Sequence, residues 1–136
     1  MATQIGFRQM TAVLPAVDLE RARRFYDEKL GMTPEMESPD TILYRVGDSV
    51  FSLYPAQGPA SGEHTQAALL VDDLQSAMRD LTSRGITFED YNIPTARTEG
   101  GVMEDQEGRG AFFKDSEGNI LALLELNPEM RAQMRL

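Results

Sequence analysis

The chain contains no cysteine and only one histidine, His64. Without cysteine there can be no disulfide, no catalytic thiol and no thiolate metal site, which leaves histidine and carboxylates as the only strong metal ligands. Long apolar runs are missing too. Nothing approaches the ~18–20 residues that span a bilayer, and residues 1–10 lack the basic-then-apolar layout of a signal peptide, so a cytoplasmic protein without a membrane role is expected. Positive charge is also scarce: 13 Lys and Arg against 22 Asp and Glu give a net charge of −9. Nucleic-acid binding draws on clustered Lys and Arg, and that class is set aside. The acidity serves solubility, and an acidic cleft would in addition attract a cationic ligand.

The 136 residues, 41% hydrophobic and 26% charged, suit one globular domain over residues 1–136. Residues 10–17 are short and apolar and run into Asp18, as a buried strand runs into a helix N-cap. Leu19, Ala22, Phe25 and Tyr26 then recur at helical spacing and Gly31 supplies a C-cap, which predicts a helix over 18–29. Three β-prone runs follow at 33–37, 41–46 and 49–54, so the first module, about 8–55, reads β-α-β-β-β.

Residues 55–62 are rich in Pro, Gly and Ser and mark a linker. Beyond it the pattern repeats. A strand is expected over 65–71, a helix over 73–83 capped by Asp73 and closed at Gly85, and strands at 86–91, 110–114 and 120–126. Laying Asp18 on Asp73 puts Leu19 on Leu74, Ala22 on Ala77 and Tyr26 on Leu81, the fixed offset of an internal repeat. Module two therefore runs about 63–126. Residues 94–107 are too long for a hairpin and carry Glu99, Glu104, Asp105 and Glu107, which suggests an acidic lid or rim. Asn127 and Pro128 open a terminal helix over 127–136.

Two stretches resemble a known family. The run from Val13 to Tyr26 with Leu30-Gly31-Met32 is similar to the opening of vicinal oxygen chelate proteins, the superfamily of glyoxalases, bleomycin-resistance proteins and extradiol dioxygenases. Gly108-Arg109 followed by Phe112-Phe113-Lys114-Asp115-Ser116-Glu117-Gly118-Asn119 looks like its closing signature. The resemblance implies an α+β fold in which two βαβββ modules form a curved mixed sheet around a cleft that takes a small molecule, and it implies a homodimer. In metal-using members a histidine stands seven residues before each capping Asp, and a glutamate points inward from each module's last strand. Those positions fall here on Thr11 and Gln66, and on Phe51 and Ala122. None of the four is a good ligand, so no metal and no cofactor are expected. His64, two residues before Gln66, reads as a rim residue, and Glu125, three from Ala122, falls on the opposite strand face.

No catalytic residue stands out, since nucleophile elbow, phosphate loop and nucleotide fingerprint are all missing. Strand alternation extends the expected cleft lining to Val13, Leu53, Ala68 and Leu124, with Tyr44, Arg109 and Phe112 as further contacts. The leading expectation is a metal-free protein that sequesters an amphipathic or cationic aromatic compound such as an antibiotic. The alternative is a lyase, isomerase or dioxygenase of the same superfamily that uses a displaced metal or none. A third class, a protein-interaction module reusing the fold, would show no ligand-sized cavity.

Overall fold

The structure is a computed structural model that describes residues 5–94 and 96–135; Leu136, the last residue of the expected terminal helix, lies outside them. Strand β1 (Ala12–Ala16) leads through Asp18 into α1 (Leu19–Glu28), followed by β2 (Pro34–Ser38), β3 (Thr41–Val46) and β4 (Ser49–Pro55). The second module repeats this with β5 (Thr65–Leu70), α2 (Leu74–Ser83), a small hairpin of β6 (Asn92–Ile93) and β7 (Ala96–Arg97), then β8 (Val102–Glu104), β9 (Gly108–Lys114) and β10 (Ile120–Leu126). Helix α3 (Pro128–Met134) follows, with Asn127 as its N-cap.

Both long helices start where a side chain can accept from an otherwise unpaired amide. Asp18 accepts from the Arg21 amide at 3.0 Å and Asp73 from the Ser76 amide at 3.2 Å. After α1 the chain turns at Gly31 with φ of +68°, a left-handed conformation that glycine adopts without a side-chain clash.

The fold is α+β, with two four-stranded mixed sheets, ordered β1-β4-β3-β2 and β5-β10-β9-β8. In each sheet the first strand of the module pairs parallel to its last strand and the remaining pairs are antiparallel. The expected strand at 86–91 is corrected. Only Phe88 bridges Phe113 there, and β8, inside the stretch read as a lid, takes the edge position. Phe88 sits edge-on to Phe113 at 5.8 Å between centroids and the Glu89 amide donates to the Phe112 carbonyl at 2.7 Å, so this segment is held by a single bridge and these contacts rather than by a ladder.

The core lies between the sheets and the two long helices. Leu14, Ala16, Ile42, Tyr44 and Leu53 of the first sheet and Ala111, Phe113, Leu121 and Leu123 of the second are buried with Ala22, Tyr26 and Leu74 of the helices. Tyr26 of α1 meets Tyr44 at 5.6 Å and Phe51 at 5.4 Å, and Tyr44 stacks on Phe51 at 5.2 Å. Each such aromatic pair contributes about 0.5–1.5 kcal/mol beyond area burial.

The modules are joined by polar contacts from the turn between β9 and β10. Asp115 accepts from the Tyr26 hydroxyl at 2.7 Å, Asn119 donates to the Pro15 carbonyl at 3.0 Å, and Glu117 accepts from the Asp18 amide at 2.9 Å and from Arg21 Nε at 2.7 Å. Among the described residues no helix is long and apolar enough to cross a membrane.

Candidate functional site

Side chains alternate along a strand, so each sheet has one face against the helices and one turned away. The helix-side cluster defines the first and the register defines the second; Ile120 and Ala122 are buried although they lie outside that cluster. In sheet one Val13 pairs with Ser52, and Ser52 with Leu43. In sheet two Ala68 pairs with Ala122, and Ala122 with Phe112. None of these belongs to the helix-side cluster. They share the open face with Tyr54 and Leu70, while Thr11, just before β1, is exposed.

The open face thus brings together Val13, Ala68, Phe112, Ala122 and Leu124 of the expected lining. Gln66 is exposed and sits unpaired at a bulge, where Thr65 pairs with Ile120 and Ala67 already with Leu121.

Four expected residues face elsewhere. Tyr44, Phe51 and Leu53 point to the helices and pack around Tyr26 and Leu14. The cause is a slip of one residue. From the turn glycine to the open-face residue is four positions in module two, Gly118 to Ala122, but five in module one, Gly47 to Ser52, and a shift of one reverses a strand's faces. Ser52, not Phe51, is the register equivalent of Ala122. Arg109 also faces away from the open face, although it lines a cavity at the end of the sheet. It lies opposite Glu125 and pairs with it at 2.8 Å, while Glu125 accepts from the Leu74 amide at 3.1 Å and so caps α2. The Arg109 guanidinium and then the Leu74 amide hold the Glu125 carboxyl below its ordinary range.

The register also exposes residues that the sequence reading passed over. Ser52 and Leu43 belong to the open face, and so does Tyr91, whose ring meets Phe112 edge-on at 5.5 Å. The polar Arg45 and Ser52, alternating with Ile42, Tyr44, Phe51 and Leu53, carried the signal for the facing of β3 and β4.

The metal positions can be tested by the donors they offer. Thr11, Gln66, Ser52 and Ala122 supply no imidazole and no carboxylate, and His64 is exposed beside the linker. Among the described residues no three His, Asp or Glu side chains stand together as a metal would require. This set does not fit a resident metal ion.

An open cavity of about 750 Å³ lies where β9, β10 and α3 meet, lined by Asp72, Glu104, Asp105 and Glu125 against Arg109 and Arg131. A smaller hollow joins Leu70 and Leu124 of the open face to Leu126, Asp72 and Arg131, which also line the large cavity. The cavity and the open face therefore meet beneath α3.

Several solved structures share this fold. The bleomycin-binding protein from Streptomyces verticillus, in complex with copper(II)-bleomycin, is 20% identical, with a TM-score of 0.67 over 89% of this chain and 98% of that one. TnmS3, an antibiotic binding protein from Streptomyces sp. CB03234, is 22% identical, with a TM-score of 0.67 over 91% and 100%. The fosfomycin resistance protein FosX from Listeria monocytogenes, with Mn(II) and sulfate, is 13% identical, with a TM-score of 0.67 over 98% and 100%. No curated protein matches the chain in sequence. At these identities the structures speak for the fold. The sequence itself carries the assignment further, because a family model matches residues 8–123, and the chain belongs to the Glyoxalase/Bleomycin resistance protein/Dioxygenase superfamily.

Proposed function

We propose that this chain is a metal-free binding protein that sequesters an amphipathic compound with a planar part and a positive charge, of the kind found among peptide and glycopeptide antibiotics. One observation carries the reading: the positions where the resemblance places metal ligands hold Thr11, Gln66, Ser52 and Ala122, which offer no imidazole and no carboxylate. On the open face, Ala68 at its centre is exposed and carries only a methyl group, Ala122 beside it is small but buried, and Phe112 and Tyr91 stand alongside.

The positive charge is supported by the cavity under α3, where four carboxylates face two guanidinium groups. Along β9, Gly108 of the cavity and Phe112 of the open face are four residues apart, about 13 Å in an extended strand. Gly110 between them adds no side chain. A planar group on Phe112 and a cationic group in the cavity would span that distance in one molecule. The S. verticillus protein in complex with copper(II)-bleomycin supports the same ligand class.

A second copy of the chain completes the site in this reading. Val13 is 56% exposed, Leu70 49% and Tyr54 40%, all on the open face, and a homodimer would cover them. One cytoplasmic domain without nucleic-acid or membrane partners is part of this reading; the acidity and, among the described residues, the lack of a helix long and apolar enough to cross a membrane agree with it.

Calorimetry with metal-free bleomycin, other cationic aromatic antibiotics, and neutral and anionic analogues tests the reading at low and high salt. Cationic compounds bind best, and their affinity falls with salt because screening acts over ~8–10 Å. Tighter binding of the anionic compounds overturns it. Turnover of the methylglyoxal–glutathione hemithioacetal would move the chain to the lyase class, and a monomer in light scattering would remove the second copy.

A further inference from the structure

Tyr91 lies in a loop, yet the surrounding chain fixes it at several points. The Glu89 amide donates to the Phe112 carbonyl at 2.7 Å and ties the start of the loop to β9. The Tyr91 amide donates to the Thr98 hydroxyl oxygen at 2.8 Å, and the Thr98 amide donates back to the Tyr91 carbonyl at 2.9 Å. The Thr98 hydroxyl donates in turn to Asp90 Oδ1 at 2.9 Å, and the Gly101 amide donates to that same oxygen at 2.9 Å. Asp90 and Tyr91 on one side and Thr98 and Gly101 on the other are thus clamped together.

The clamp presents a partly exposed phenol against the ring of Phe112, on the side of the sheet that the core does not use. Among the described residues the phenol oxygen has no hydrogen-bond partner, whereas the core phenols Tyr26 and Tyr44 donate to Asp115 and Asp27. A donor on a backbone held in place beside a flat apolar surface suits recognition of a planar molecule with one acceptor, and holding that backbone beforehand lowers the entropy lost on binding.

We infer that Tyr91 is a ligand-contacting residue of the open face, its phenol donating to an acceptor on a planar group stacked on Phe112, and that Asp90 and Thr98 are positioning residues that hold it there. This inference rests on the reading that the open face binds a small molecule, and it adds a hydrogen-bond acceptor to the ligand class.

Two probes of the same ring shape separate the phenol from the surface. Acridone is flat, neutral and carries one carbonyl acceptor; N-methylacridinium is flat and carries none. Both are titrated by fluorescence into the full chain and its variants. Phe112→Ala weakens both at least ~10-fold, because it removes the stacking surface. Tyr91→Phe keeps every backbone contact of the clamp and weakens acridone about 5-fold while leaving N-methylacridinium within about 2-fold. Thr98→Val weakens acridone to a similar degree, and Thr98→Ser restores it.

Failure of the unsubstituted protein to bind either probe overturns the inference, as does a Tyr91→Phe effect that is equal for both. Metal-free bleomycin is run against the same variants. If bleomycin does not bind while the acridone pattern holds, the antibiotic reading falls and Tyr91 keeps its role. If bleomycin binds equally well to Tyr91→Phe and Phe112→Ala, Tyr91 loses it.

Discussion

Tyr26 in the helix of the first module donates its phenol proton to Asp115 in the last turn of the second, at 2.7 Å and out of contact with solvent. Burial, and then the Asp115 carboxylate, push the phenol well above its ordinary pKa, so it remains a donor throughout the physiological range. Tyr26→Phe leaves one Asp115 oxygen with Asn119 as its remaining partner. A loss of about 2 kcal/mol is expected, the cost of a buried acceptor left short of a donor, and urea denaturation measures it. A variant as stable as the parent would show that this bond does not hold the modules together.

Glu117 gives the pH dependence. Burial works against its charge, but the Arg21 guanidinium, the Asp18 amide and the Ser116 hydroxyl outweigh it, and the carboxyl stays below its ordinary range. A lowered carboxyl pKa means that the unfolded chain binds the proton more readily. The stabilisation is therefore complete above the unfolded value of about 4.3 and is lost as the pH falls through the folded value. Glu117→Gln should cost about 2 kcal/mol at pH 7, and the gap to the parent should close below about pH 4. A gap constant from pH 7 to pH 3 would contradict the assignment.

Gly108 cannot accept a side chain. Its φ is +150°, and a β-carbon there would overlap the Glu125 carbonyl oxygen and crowd Leu126. Gly108→Ala should destabilise by about 3 kcal/mol, from strained backbone and displacement of β10 together. The thermal midpoint reads the effect, and a midpoint within about 2 °C of the parent's would refute the packing argument.

Metal exposure is expected to leave no trace. After incubation with Ni, Zn, Mn or Fe(II) and desalting, no stoichiometric ion should remain and the thermal midpoint should not rise, since the donor set gives the folded state little differential affinity. One ion per chain, lost on His64→Ala, would reverse this and raise the enzyme class above the binding one.

The helices, most strands and the repeat were legible because capping, spacing and turn chemistry act locally. Helix α1 begins and ends within a residue of the span expected from Asp18, Tyr26 and Gly31. The facing of β4 was not legible by counting from Gly47, because the turn of module one differs by a residue from the turn at Asp115, and that difference exchanges Phe51 for Ser52. Arg109 and Glu125 depended on a pairing across sixteen residues of sequence that only the hairpin register fixes. Tyr91 was missed because its position comes from hydrogen bonds closed by Thr98 and Gly101, contacts that carry no hydrophobic period.

The turn between β9 and β10 has a consequence for how the protein is made. Glu117 accepts from the amide of Asp18, the N-cap of α1, and Asn119 holds β1 by the Pro15 carbonyl, so these contacts that seat the first module are delivered from about a hundred residues downstream. As the chain leaves the ribosome, its first half has its helix pattern and its aromatic trio but not its lock. Arg21 and Tyr26 wait without their acidic partners until synthesis has passed residue 119. Assembly of the two halves is in this sense sequential, with the second half setting the moment at which the first becomes final.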